Sequence, residues 1–335
     1  MTTQGQELDP AGVPVLWLLG KTGAGKTSLV RALTGEGAVG NGFAPGTRDA
    51  ALFDFPATGP AVRFLDTRGL GEAGHDSADD LKAAQGIAHA ALAVIRYDDP
   101  VQTPVIDAVI DAVRATRLPV LLVFTGADLL PNDIAQERVR AGLRKAIGRD
   151  LPFVSLALPP EGMVTGLEAL LDALDSFMPR AAAALRRADE ARSFAKLKPL
   201  VLRYAAMAGA SDVAPVVGMA AVPAAQGALL QALAKRHGVS LTPARLSLLA
   251  SALGTGALVR LAATHVLRQG AKMVPVAGQT LGAAAAAGAS FATTYALGRA
   301  ASAWLYSTAR GKEPDRASLR ALYDQALKGA RHAAD

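Results

Sequence analysis

Val15-Leu16-Trp17-Leu18-Leu19-Gly20-Lys21-Thr22-Gly23-Ala24-Gly25-Lys26-Thr27-Ser28-Leu29 opens on an unbroken apolar run, crosses three glycines and enters a helix-compatible stretch. An uninterrupted apolar run ended by glycine suits a strand buried on both faces. From Gly20 to Thr27 the residues match G-x-x-x-x-G-K-[ST], placed after a strand and before a helix, the setting that pattern requires. The glycines let backbone N–H groups curl around phosphate oxygens, and the helix N-terminus adds its partial positive charge. Lys26 is the candidate for the β- and γ-phosphates and Thr27 for Mg²⁺, with Lys21, Thr22, Ala24 and Ser28 completing the cradle.

Downstream, Ala61–Leu65 reads as an apolar strand that ends in Asp66, followed by Thr67-Arg68-Gly69. An acid at that strand end can hold Mg²⁺ through water, and Gly69 can give its N–H to the γ-phosphate. Between the two motifs lies the Gly-rich segment 35–47, where Thr47, just ahead of a strand, is the candidate switch threonine for Mg²⁺ and the γ-phosphate. Leu70 stands where Ras-like proteins carry the water-orienting glutamine, so slow intrinsic hydrolysis is expected. Arg68 is the one catalytic arginine candidate near the switch.

Residues 14–180 alternate short apolar runs with amphipathic stretches, the pattern of an α/β domain with a largely parallel sheet. Strands are expected at 14–19, 50–55, 61–65, 91–96, 119–124 and 153–157, with helices near 26–33, 77–89, 102–116, 132–147 and 166–177. The expected fold is a P-loop three-layer sandwich around a mostly parallel six-stranded sheet, followed by an all-α, Ala-rich helical domain. The division reads as a disordered tail over 1–12, the nucleotide-binding domain over 13–179 and a connecting helix over 180–205. A helical domain over 206–309 and a helical tail over 310–335 complete it.

Charge separates the two halves: 16 Lys and Arg against 22 Asp and Glu up to residue 180, and 19 against 7 beyond it. Net charges of −6 and +12 follow, and such a basic half suits an anionic surface, lipid or nucleic acid. No aromatic–basic interleaving supports stacking on single strands, which makes nucleic acid the weaker partner. The absence of cysteine excludes disulfides and thiolate chemistry, and the five histidines show no paired ligand spacing. The N-terminus has neither signal- nor transit-peptide character, so a cytoplasmic location is expected, and the basic second half adds association with the inner face of the cell membrane.

Two stretches of the second half, 213–234 and 273–298, contain no charged residue. About 20 apolar residues are needed to span a bilayer, but 273–298 holds nine alanines and four glycines and is only weakly hydrophobic. Pro215 and Pro223 are expected to break the first stretch, which favours a hairpin or peripheral attachment through residues 196–306 over stable spans. Trp304 and Tyr306 suit either an interfacial belt or the end of a buried helix.

Taken together, GKTGAGKTSL, the Pro45-Gly46-Thr47 triplet and Leu65-Asp66-Thr67-Arg68-Gly69 resemble the translation-factor-related class of GTPases, in particular its Era-like group with dynamin-like members. The resemblance covers residues 13–179 and implies GTP and GDP as ligands with Mg²⁺. It also implies a guanine-reading N/T-K-x-D motif, which falls on Thr125-Gly126-Ala127-Asp128, where Asp128 would accept from the base and Gly126 replaces the usual lysine. The last base loop falls on Ser155-Leu156-Ala157. Residues 199–306 resemble the YcjF-type domain of unknown function, whose family is described as membrane-associated. With Leu70 in place of the water-orienting glutamine, hydrolysis is expected to depend on Arg68, on dimerisation or on a partner, so a homodimer is a candidate assembly.

Overall fold

The computed structural model describes residues 12–35, 50–67, 84, 86–100, 103–115, 118–130, 132–161, 163–212, 215–253 and 279–332. The chain divides into two compact units, residues 1–189 and 190–335.

In the first unit the strands are β1 (Val15–Gly20), β2 (Ala50–Phe55), β3 (Val62–Thr67), β4 (Ala90–Arg96), β5 (Val120–Thr125) and β6 (Phe153–Ser155). They form one sheet in the order β2-β3-β1-β4-β5-β6. Only the β2–β3 pairing is antiparallel. The helices are α1 (Lys26–Thr34), α2 (Thr103–Ala115), α3 (Asp133–Ile147) and α4 (Leu167–Asp175). From Pro179 to Ser211 runs α5, which crosses from the first unit into the second.

The apolar run of β1 is explained by burial on two sides. Leu16 and Leu18 point into a core with Leu29 and Leu33 of α1, Leu170 and Leu174 of α4, and Leu185. Val15, Trp17 and Leu19 point the other way, into a core with Val105 and Val109 of α2 and Leu143 of α3. Each such side chain contributes about 1.5–3 kcal/mol when fully buried. A polar residue in this run would have nowhere to face, which is why the strand reads as continuous rather than alternating.

The sheet reverses its direction of growth at the β1–β4 boundary, and ligand clefts of open α/β sheets form at the carboxyl ends of strands beside such a switch. Gly20 is fixed by this packing, because a Cβ there would lie 2.5 Å from the Val94 carbonyl oxygen of β4.

The expected strands agree with those observed to within two residues at each end. The helix expected over 77–89 falls largely outside the described residues, and its last part differs: Gly86 has φ +83° and the backbone turns directly into β4.

The second unit is helical, with the end of α5, α6 (Pro215–His237), α7 (Pro243–Leu253), α8 (Gln279–Ala309) and α9 (Arg316–His332). Pro215 and Pro223 do not break α6. The first sits at the opening position, where its missing N–H costs nothing, and the helix carries through the second while burying Leu229, Leu233 and Ala234.

Alanines at 292, 296 and 300 put a narrow surface of α8 into the core with Val201, Leu229 and Trp304. Close approach is tight enough that a Cβ on Gly298 would meet Val201 at 2.5 Å. Trp304 and Tyr306 are buried, so they form the end of an interior helix. Buried polar groups pair across helices: Ser290 donates to Asp212 at 2.6 Å and Gln226 to Thr294 at 3.1 Å. Arg299 forms two hydrogen bonds with Glu190, at 2.6 and 2.7 Å, and lies over the Phe194 ring. Among the described residues no helix is long and apolar enough to cross a membrane.

Candidate functional site

The site is built where β1, β4 and β5 end. After Gly20 the chain turns through Gly23 (φ +82°) and Gly25 (φ +98°), both left-handed, and enters α1 at Lys26. A side chain at either glycine would strain the backbone, and the first turn of α1 leaves N–H groups without partners inside the helix. Lys26 is buried, its ammonium donating to the Gly20 carbonyl at 2.8 Å. Thr22, Thr27 and Ser28 are exposed at the mouth of the loop. Lys21 leaves this cradle for an ion pair with Asp99 at 2.5 Å.

Asp66 is half-buried near the end of β3, in register with Leu18 of β1 and Ala51 of β2. Thr27 at the start of α1 and Asp66 supply oxygen donors suited to Mg²⁺. Among the described residues no group of three or more His, Asp or Glu side chains could hold a metal ion by itself. Hydroxyl and carboxylate oxygens are the donor types of a cation that takes further oxygens from phosphate. Thr47, Arg68 and Gly69 lie outside the described residues.

The end of β5 closes the site from the other side. The Thr125 hydroxyl donates to the Ala24 carbonyl at 2.6 Å, and its methyl fills the space beside Gly25. Gly126 follows in the left-handed region, with φ +69°, and opens the short turn Ala127–Leu129 that carries Asp128. That conformation accounts for a glycine at this position, since a β-carbon there would be strained and would come within 3.1 Å of Leu129.

A cleft of about 270 Å³ joins these parts; Gly23, Gly25, Ser28, Gly126 and Asp128 all line it. The glycine loop after β1 and the turn after β5, far apart in sequence, therefore face one cavity.

Ser155 is not among the residues lining this cleft. Its hydroxyl hydrogen-bonds Tyr97 at 2.7 Å, and beyond β6 the cleft is lined by Leu158, Pro159 and Pro160. Two further lining residues, Arg96 and Leu129, were not singled out from the sequence. Arg96 could have been found by its position, as a single charge closing the apolar run of β4 at the sheet's carboxyl edge. Its guanidinium bonds Asp98 at 2.6 and 3.0 Å. That hydrogen bond holds the Asp98 carboxyl below the usual carboxylate range and raises the arginine above its own.

Residues 15–126 match the family model described as "50S ribosome-binding GTPase". Translation initiation factor IF-2 of Fusobacterium nucleatum subsp. nucleatum is 26% identical over 166 residues, which cover 48% of this chain. The match spans 21% of that protein's length. Among solved structures, Toc33 from Arabidopsis thaliana is 24% identical with a TM-score of 0.36, over 45% of this chain and 73% of that one. The G domain of the T. maritima FeoB iron transporter is 23% identical with a TM-score of 0.34, over 49% of this chain and 98% of that one. The first unit has the P-loop GTPase fold, and guanine nucleotides are the ligands of the family it matches.

Proposed function

We propose that the chain is a GTP-binding regulatory protein that hydrolyses GTP slowly and couples its nucleotide state to the basic helical unit, at the inner face of the cell membrane. The observation that carries the nucleotide part is the shared cleft, in which the glycine cradle and Asp128 are joined by the hydrogen bond from Thr125 to Ala24.

In this reading the N–H groups from Gly23 to Ser28 receive the phosphates. Lys26 exchanges the Gly20 carbonyl for phosphate oxygens. Thr27 and Asp66 would hold Mg²⁺, which would supply positive charge against the phosphate oxygens. Asp128 accepts from guanine. Hydrolysis is slow because Leu70 cannot orient water.

The test is calorimetry with GTP on the wild type and on Lys26→Ala. Binding by the first and its loss in the second, with an unchanged circular dichroism spectrum, supports the reading. Unchanged affinity in the variant rejects it. Single-turnover assays with and without liposomes then measure the coupling.

A second reading has a specific observation behind it. The matched family model is described by 50S ribosome binding, and the half beyond residue 180 carries a net +12. Salt-sensitive binding to RNA or ribosomal particles, with no liposome binding, would favour that partner.

A further inference from the structure

Residue 126 contributes no side chain to the cleft, yet one wall beside it is occupied. Arg96 ends β4 in register with Thr125 of β5, and its Cγ lies 3.8 Å from where a Cβ on Gly126 would be. Arg96, Gly126 and Asp128 line the same cavity. We propose that Arg96 is the cation that packs along the purine and ribose, reaching from the neighbouring strand into the place that residue 126 leaves open.

Chemistry supports this placement. A guanidinium is planar, weakly hydrated on its faces and suited to lie on an aromatic ring, which an ammonium does less well. Asp98 grips Arg96 by two nitrogens, at 2.6 and 3.0 Å, so the plane is oriented through its edge while stacking uses its face. Lys21, also near the loop, is drawn to Asp99 and does not line the cavity. Stacking on Arg96 would strengthen binding of any purine, whereas Asp128 distinguishes guanine by its exocyclic amine. The two residues thus divide affinity from selectivity. This inference rests on the guanine-nucleotide reading above.

The experiment measures binding of GDP, inosine diphosphate and inorganic tripolyphosphate to the full-length wild type, Arg96→Ala, Arg96→Lys and Lys26→Ala. Arg96→Ala is expected to weaken GDP and inosine diphosphate by the same factor, about tenfold or more, with Arg96→Lys between it and the wild type. Tripolyphosphate competition and the nucleotide-free melting temperature are expected to stay as in the wild type.

Three results overturn the proposal while Lys26→Ala still loses GDP: GDP affinity within twofold of wild type, an equal loss for tripolyphosphate, or a changed ratio of GDP to inosine diphosphate. They would place Arg96 outside the site, at the phosphates, or behind Asp128. A wild type that binds no GDP at all would instead overturn the proposed function, and this inference with it.

Discussion

Thr125 and Ala24, 101 residues apart in sequence, are joined by a 2.6 Å hydrogen bond from the threonine hydroxyl to the alanine carbonyl. Both are buried, and the bond ties the glycine loop after β1 to the turn that follows β5. Thr125→Val keeps the methyl beside Gly25 and removes only the donor. A neutral hydrogen bond of this kind contributes about 1 kcal/mol net, so a lower melting temperature and a roughly fivefold weaker GDP affinity are expected. Titration of a fluorescent GDP analogue measures the second effect directly.

Asp128 sits on the turn opened by Gly126 and lines the cleft, where it would accept from the guanine ring N–H and exocyclic amine. Asp128→Asn exchanges an acceptor for a donor at one position. Weakened GTP binding with a gain for xanthosine triphosphate is the expected outcome, read by competition. Equal affinity of the wild type for ATP and GTP would remove Asp128 from base recognition.

The first unit was legible because its signals are local. An apolar run, a glycine turn and a helix start are written consecutively from Val15 to Leu33, and both faces of β1 are covered, so no alternation was needed to find it. What the sequence could not display was convergence. Arg96 acquires meaning only when β4 and β5 pair in register, and the Leu158–Pro160 segment reaches the cleft only because β6 stops at Ser155. The helical unit was harder for a different reason. Alanine-rich stretches suit lipid, a hairpin or a tight bundle alike, and the close packing of Gly298 against Val201 and the burial of Trp304 become visible only in the folded unit. Pro223 misled because propensity is local while the packing that carries α6 through it is not.

His237, near the end of α6, is half-buried, with Nε2 3.3 Å from the Ser302 hydroxyl of α8. Burial first, and then the Arg310 charge, hold its pKa below the ordinary histidine value, although Glu190 pulls the other way. Below about pH 6.5 the unfolded chain takes up a proton that the folded state resists. The stability linked to His237 is therefore complete above that pH and falls as the pH drops toward the lowered folded value. Thermal melts from pH 7.5 to 5.5 should show a decline in the wild type that is smaller in His237→Gln. Parallel curves would assign the pH dependence to other groups.

The last prediction concerns the surface the helical unit presents. With Trp304, Tyr306 and the alanine face of α8 buried, contact with a bilayer would fall to exposed groups such as Lys196, Lys198 and Arg203 on α5, and Lys235 and Arg236 at the end of α6. Leu202 and Met207 of α5 are also exposed, at 37% and 48%, and could enter the headgroup region beside those cations. Attraction to anionic lipid is worth about 1 kcal/mol per basic residue near the surface and decays within a Debye length. The full-length protein should therefore sediment with vesicles rich in anionic lipid, remain in the supernatant with neutral ones, and leave the former at high salt. Combining Lys196→Glu, Lys198→Glu and Arg203→Glu should reduce vesicle partitioning by more than about tenfold, since three attractions become repulsions. All three side chains are exposed, so the melting temperature should hold and a folding defect can be told apart. Equal recovery from anionic and neutral vesicles, or retention at both high salt and high pH, would rule out a peripheral electrostatic attachment.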